Sequence, residues 1–280
     1  MNLLLIILKI SRPRFWLYTA GPFWVGAIAG SSSWQVILQP LLLLQLVYFV
    51  LPANIMLYGV NDLFDSETDR LNKKKKEREH LLKTEQIFFL ALLVGASTVM
   101  GLLLAFVSPQ ASRHWWLAFL VLSWLYSAAP IRFKSRPFLD FLSNILYVAP
   151  AGISYSYMTG HNLPLVVLLT AWLWVCAMHL FSAIPDIQAD RKAEIKTTAV
   201  VLGKNYSLLL CFLFWTSFCL IVFYQQWFWP ASLFCIIYPG LIIYSWFRPS
   251  KIEKIYWLFP YINGLIGFCL FWLLAANKPY

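Results

Sequence analysis

Charge is scarce in this chain. Asp, Glu, Lys and Arg make up 12% of its 280 residues, where a soluble domain carries about 25%. That shortage excludes a cytosolic globular enzyme and a charge-rich disordered chain. Cysteine is sparse too, with Cys176, Cys211, Cys219, Cys235 and Cys269 the whole set. None has C-x-x-C spacing and all lie in apolar runs, so they read as small buried hydrophobes, not disulfides or a metal set. No cleavable leader is expected: the apolar stretch 1–8 is short, and Ser11-Arg12-Pro13-Arg14 is no small-residue cleavage site.

What is abundant is apolar and aromatic. The chain is 60% hydrophobic and 18% aromatic, with 14 Trp, and its mean hydropathy is +0.67. Such a tryptophan supply suits many membrane–water interfaces. Nine apolar stretches can be drawn, near residues 15–31, 35–60, 86–107, 115–131, 140–158, 163–185, 207–226, 228–247 and 255–276. At roughly 20 residues per span they fill the chain as one membrane-embedded domain over residues 1–280. The expected fold class is therefore all-α, a polytopic bundle of nine transmembrane helices.

The net charge of +10 would suit nucleic acid only on a water-soluble face, so no nucleic-acid partner is expected. Topology accounts for it better. With nine spans, twenty of the 22 Lys and Arg fall on the side of the N-terminus, and only Arg113 and Lys278 fall opposite. The positive side is the cytoplasmic one. The lysines at 73–76 read as a topology and lipid-headgroup element. The expectation is an integral protein of a bacterial inner membrane, N-terminus in the cytoplasm.

All 12 acids fall on that same side, although acids contribute little to orientation. Something at that face uses carboxylates. The second stretch runs into Asn61-Asp62-Leu63-Phe64-Asp65-Ser66-Glu67-Thr68-Asp69-Arg70. On a continuing helix, Asp62, Asp65 and Asp69 share one face. The sixth stretch runs into Asp186-Ile187-Gln188-Ala189-Asp190, a second i, i+4 pair. Like charges so placed repel slightly, and a cation between them resolves the conflict. Hard oxygens at a helix end suit Mg²⁺ held jointly by carboxylates and substrate phosphates. Between the clusters, Tyr126-Ser127-Ala128-Ala129-Pro130-Ile131-Arg132-Phe133-Lys134 closes the fourth stretch. Arg132 and Lys134 are either phosphate-holding cations or topology charges, and Arg70 and Lys196 share that ambiguity. Asp140 either caps the fifth helix or joins the site. Asn54 and Asn61, seven residues apart, line a polar wall or bond a neighbouring helix. His179 is given no role.

In these residues the chain resembles the UbiA superfamily of intramembrane prenyltransferases. Asn61, Asp62, Asp65 and Asp69 match its Asn-Asp-x-x-Asp-x-x-x-Asp pattern, Asp186 and Asp190 its Asp-x-x-x-Asp, and 126–134 its Tyr-Ser-x-x-Pro-x-Arg-x-Lys stretch. The segments 54–62, 132–140 and 186–191 are similar to the lycopene elongase branch, which adds a five-carbon unit to a linear carotenoid. The resemblance implies a UbiA-like bundle that transfers a prenyl group from an allylic diphosphate to a lipophilic acceptor in the membrane. It implies Mg²⁺ on Asp62, Asp65, Asp69, Asp186 and Asp190. Asn61, Arg132, Lys134, Tyr126, Arg70, Lys196 and Asn54 would contact substrate. Tyr126 and Tyr58 are the candidate aromatic faces for an allylic cation. One departure stands out: Glu194 occupies a position where the family often has Gly, which either puts a tight backbone turn there in question or adds an acid near the site. A quinone-pathway aromatic prenyltransferase is the alternative acceptor reading, and a cation transporter a remote one.

Overall fold

The computed structural model describes residues 3–65, 84–276, 278 and 279. Asp69, Arg70 and the lysines at 73–76 lie outside the described residues. Among those described there are helices and turns and no strand. The chain divides into two units.

The first unit comprises Met1–Arg132, Ala149–Leu163 and Ile262–Tyr280. Its helices are α1 (Leu3–Ser11), α2 (Leu17–Gly30), α3 (Pro40–Val50), α4 (Pro52–Asp65), α5 (Ile87–Val107) and α6 (Gln110–Ser127). The segment 149–163 supplies α8 (Ala149–Thr159). α5 shows most plainly how sequence makes a span. Its 21 residues reach about 30 Å at 1.5 Å each, the thickness of a hydrocarbon layer. Phe88, Leu92, Val99, Leu103 and Phe106 form an exposed stripe, while Leu90, Val94 and Leu104 are buried. A helix apolar on every side belongs in lipid. Inside the unit, Phe49 packs on Phe23, Trp116 and Phe119 with ring centroids 5.1–5.2 Å apart, and all four are fully buried. α2 and α8 approach closely because their contact is built from small residues. A Cβ on Gly26 would collide with the Ala151 carbonyl, and one on Gly152 with the Trp115 ring. The Ser154 hydroxyl donates across that contact to the Phe23 carbonyl at 2.6 Å.

The second unit comprises Phe133–Val148 and Pro164–Tyr261. It holds α7 (Leu139–Leu142), α9 (Leu165–Ala183), α10 (Ile187–Lys192), α11 (Thr198–Tyr224), α12 (Ile237–Phe247) and the first part of α13 (Ile252–Ala275). Trp215 is its aromatic hub, with Tyr238 and Phe259 each 5.3 Å away. Phe181 closes the cluster on Phe259 at 5.2 Å. All five cysteines are free thiols, three of them buried. Cys269 is exposed rather than buried, on a helix apolar enough to face lipid.

Five described segments are long and apolar enough to cross a membrane: Pro40–Asp65, Ile87–Val107, Leu165–Lys192, Thr198–Tyr224 and Pro249–Ala275. Two stretches read as continuous helix are broken. The stretch 35–60 stops at Leu51, where φ is −120° and ψ −63°, because Pro52 has no N–H to continue the ladder. It then runs on to Asp65 as α4. The stretch 140–158 is α7, a 3-10 turn over Ser143–Tyr147, and then α8. α11 starts nine residues before the expected 207, with a non-helical joint at Gly203 (φ 73°, ψ 170°). Only glycine takes that backbone without strain.

Candidate active site

The first acid motif is presented by the last turn of α4. The joint below it is made by Asn54, fully buried. Its amide donates to the Phe49 and Val50 carbonyls at 2.8 and 3.0 Å, and to the Thr19 hydroxyl at 2.9 Å. Those carbonyls end a helix and need donors. The structure therefore places the amide nitrogen of Asn54, expected to contact substrate, at a helix junction.

Two turns on, three polar links hold the motif. The Asn61 amide donates to the Ser127 hydroxyl at 3.2 Å, joining the motif to the Tyr126-Ser127 end of α6. Asp62 accepts from the Arg12 guanidinium at 2.6 Å. Asp65 accepts from the Arg132 guanidinium at 2.7 Å. The two carboxylates are only 4% and 7% exposed, so a missing countercharge would be costly. Asp62 and Asp65 do share a face, as their spacing predicts.

Arg12 is the residue that the sequence reading passed over. It lies just past α1, in the turn where Trp16 donates to the Ser11 carbonyl at 3.1 Å. Its guanidinium also stacks 4.7 Å from the centre of the Tyr58 ring, one helical turn before Asp62. Tyr58 in turn packs on Phe15 at 5.7 Å. Arg12 and Arg132 both have left-handed backbones, with φ of 51° and 45°. Each such residue costs about 1–2 kcal/mol when it is not glycine, and strain of this kind gathers at functional sites. Tyr126 is half-buried at the end of α6.

In the second unit, α9 ends at a 3-10 turn over Ile184–Asp186, and α10 follows. Asp186 and Asp190 are both half-buried and i, i+4 apart across that junction. The Thr197 hydroxyl caps α11 and approaches Asp190 at 3.4 Å. The Ile195 N–H closes the loop onto the Asp190 carbonyl at 2.9 Å. Glu194 sits inside this loop at φ 56°, so the tight turn survives although its residue is not glycine. Lys134 is half-buried in the turn Phe133–Ser135, and Lys196 is exposed.

Asp140 resolves differently from either alternative. It is 1% exposed and serves the start of α11. The Thr198 N–H and hydroxyl donate to it at 2.7 and 2.5 Å, and the Phe141 N–H at 3.0 Å. The Thr198 hydroxyl accepts from the Phe138 N–H at 2.6 Å, which fixes Phe138 at φ 69°. Asp140 thus ties the loop carrying Lys134 to the loop carrying Asp190.

Among the described residues, no three His, Cys, Asp or Glu side chains gather into a metal cage. The chemistry of the first motif still fits Mg²⁺. Its two buried carboxylates are hard oxygen donors on one face, already paired with cations.

The model of the UbiA prenyltransferase family matches residues 16–275. The chain belongs to the UbiA prenyltransferase family. Family membership makes it a prenyltransferase, and the cation-transport alternative falls. This UbiA prenyltransferase is 39% identical over 274 residues to a lycopene elongase/hydratase of Haloarcula japonica, covering 98% of this chain and 92% of that protein. A lycopene elongase/hydratase of Haloferax volcanii is 38% identical over 266 residues, covering 94% and 86%. In fold, this UbiA prenyltransferase is similar to a UbiA homologue from Archaeoglobus fulgidus bound to GPP and Mg²⁺. There the TM-score is 0.74 at 21% identity, over 96% of this chain and 99% of the other.

Proposed function

We propose that this UbiA prenyltransferase extends a linear carotenoid such as lycopene with a five-carbon prenyl unit taken from an allylic diphosphate. The observation that carries the reading is the near full-length similarity to two lycopene elongase/hydratases. In this reading the acids of both motifs, Asp62, Asp65, Asp69, Asp186 and Asp190, are the ligands of Mg²⁺. The bound ion would neutralise the departing diphosphate. Arg132 and Lys134 take diphosphate oxygens from the protein side, where charge develops as the C–O bond breaks. Asn61 orients the motif through Ser127. Tyr58 and Tyr126 offer π faces to the allylic cation, in apolar surroundings that keep water from quenching it. Nine crossings, with the N-terminus and the acid motifs on the cytoplasmic side, complete the proposed topology.

The test is lipid mass analysis of a lycopene-accumulating bacterial host expressing the chain and fed isotope-labelled isoprenoid precursor. Carotenoid gaining one or two labelled five-carbon units, with or without an added water, is the expected result. Asp65→Asn, inserted at wild-type level, gives none. Unchanged lycopene beside wild-type protein would overturn the carotenoid assignment, and labelled quinone would move the acceptor to the aromatic class.

A further inference from the structure

Two adjacent threonines open α11, and each gives its hydroxyl proton to a different carboxylate. A threonine hydroxyl has one proton and two lone pairs, whereas an ionised carboxylate only accepts. The Thr198 hydroxyl accepts from the Phe138 N–H at 2.6 Å and donates to Asp140 at 2.5 Å. The Thr197 hydroxyl accepts from the Val200 N–H at 3.3 Å, which caps the helix, so its single proton goes to Asp190 Oδ2 at 3.4 Å. The two carboxylates differ in their surroundings. Asp140 is 1% exposed and takes three donors from the protein, two of them on Thr198. Asp190 is half-buried, and so keeps accessible surface for a ligand. Thr197 owes its place to its neighbours. Asp140 holds Thr198 by both N–H and hydroxyl, and the Ile195 N–H closes the preceding loop onto the Asp190 carbonyl at 2.9 Å. The Thr197 hydroxyl is thus carried by backbone pinned on both sides, as orienting a ligand in advance requires. Its bond to Asp190 is long and adds little to folding, which the cap on α11 serves instead. What it supplies to the carboxylate is direction.

We infer that Thr197 is the positioning residue of Asp190: its hydroxyl turns that carboxylate for a divalent cation, from a place that Asp140 and Thr198 fix. This rests on the reading of Asp190 as a metal ligand. A hydrogen-bond partner behind a metal ligand is commonly worth about 10- to 100-fold in metal affinity.

The test uses purified full-length protein in nanodiscs and no turnover. Binding of preformed Mn²⁺–pyrophosphate is measured by calorimetry, and the melting temperature on the same samples. Thr197→Val is expected to bind about tenfold more weakly than wild type, and Thr197→Ser, which keeps the hydroxyl, within about twofold of it. Valine also removes the cap, so Thr197→Gly separates the two duties. Glycine caps a helix nearly as well as threonine but has no hydroxyl, so this variant melts close to wild type and still binds about tenfold more weakly. Asp190→Asn loses binding. Valine and glycine variants that bind as wild type, beside an Asp190→Asn that does not, overturn the positioning role alone. A serine variant as weak as the valine one overturns it too, since the hydroxyl is then not what matters. Wild type that does not bind the complex, or Asp190→Asn that binds it unchanged, overturns the metal-ligand reading beneath.

Discussion

Replacing Asp140 probes the junction that joins the Lys134 loop to the start of α11. The carboxylate is 1% exposed and accepts from three N–H or O–H donors, two of them on Thr198. In Asp140→Ala the Thr198 N–H loses its acceptor inside the protein, at about 1–3 kcal/mol. A negative charge at a helix N-terminus adds about 0.3–1 kcal/mol, and up to ~2 when partly buried. The Phe138–Thr198 bond at 2.6 Å is loosened as well. Against this, the variant recovers the desolvation of a buried carboxylate, which holds the net loss to about 1–4 kcal/mol. Asp140→Asn keeps one acceptor oxygen but points an amide at a donor, and loses about 1.5–3 kcal/mol. The assay is reversible unfolding in mixed micelles titrated with sodium dodecyl sulfate. Asp186→Asn, at a half-buried acid, serves as the comparison and shifts the midpoint little. An Asp140→Asn midpoint equal to wild type would refute the assignment of Asp140 as a structural cap.

Gly26→Val places side-chain atoms against the Ala151 carbonyl and Ser154 hydroxyl. Overpacking against backbone costs about 3 kcal/mol or more, read as a lower melting temperature of the monodisperse protein; an unchanged value would refute the close α2–α8 contact. Glu194, exposed and at φ 56°, gives a two-sided test. Glu194→Gly relieves about 1–2 kcal/mol of strain against about 0.5–1 kcal/mol of added chain entropy, so stability holds or rises slightly. Glu194→Val at the same backbone loses stability, and equal melting of the two variants would disprove the left-handed turn.

Legibility in the sequence tracked how local each signal is. α5 lies within a residue of its expected 86–107 because nothing interrupts its apolar run. The break at Leu51 was hidden, since Pro52 stands inside an equally apolar stretch. The i, i+3 spacing of Asp62 and Asp65 and the i, i+4 spacing of Asp186 and Asp190 are properties of one helix turn, and so were readable. Arg12 was not: its partner lies 50 residues away, and a basic residue beside a first span already has a topological explanation. Asp140 failed for the same reason, with 58 residues between it and Thr198. Glu194 was marked as a departure, but sequence alone cannot say whether a turn bends despite its side chain.

The ion pairs of α4 also bear on how the protein is made. A helix with two bare carboxylates near its end would be hard to seat against its neighbours, since each uncompensated charge resists leaving water. Here the compensating cations lie on the same polypeptide, and Arg12 emerges from the ribosome before Asp62 does. Assembly in the bilayer therefore needs no external ion to compensate Asp62 and Asp65. The chain carries the neutralisation of these two carboxylates within its own sequence.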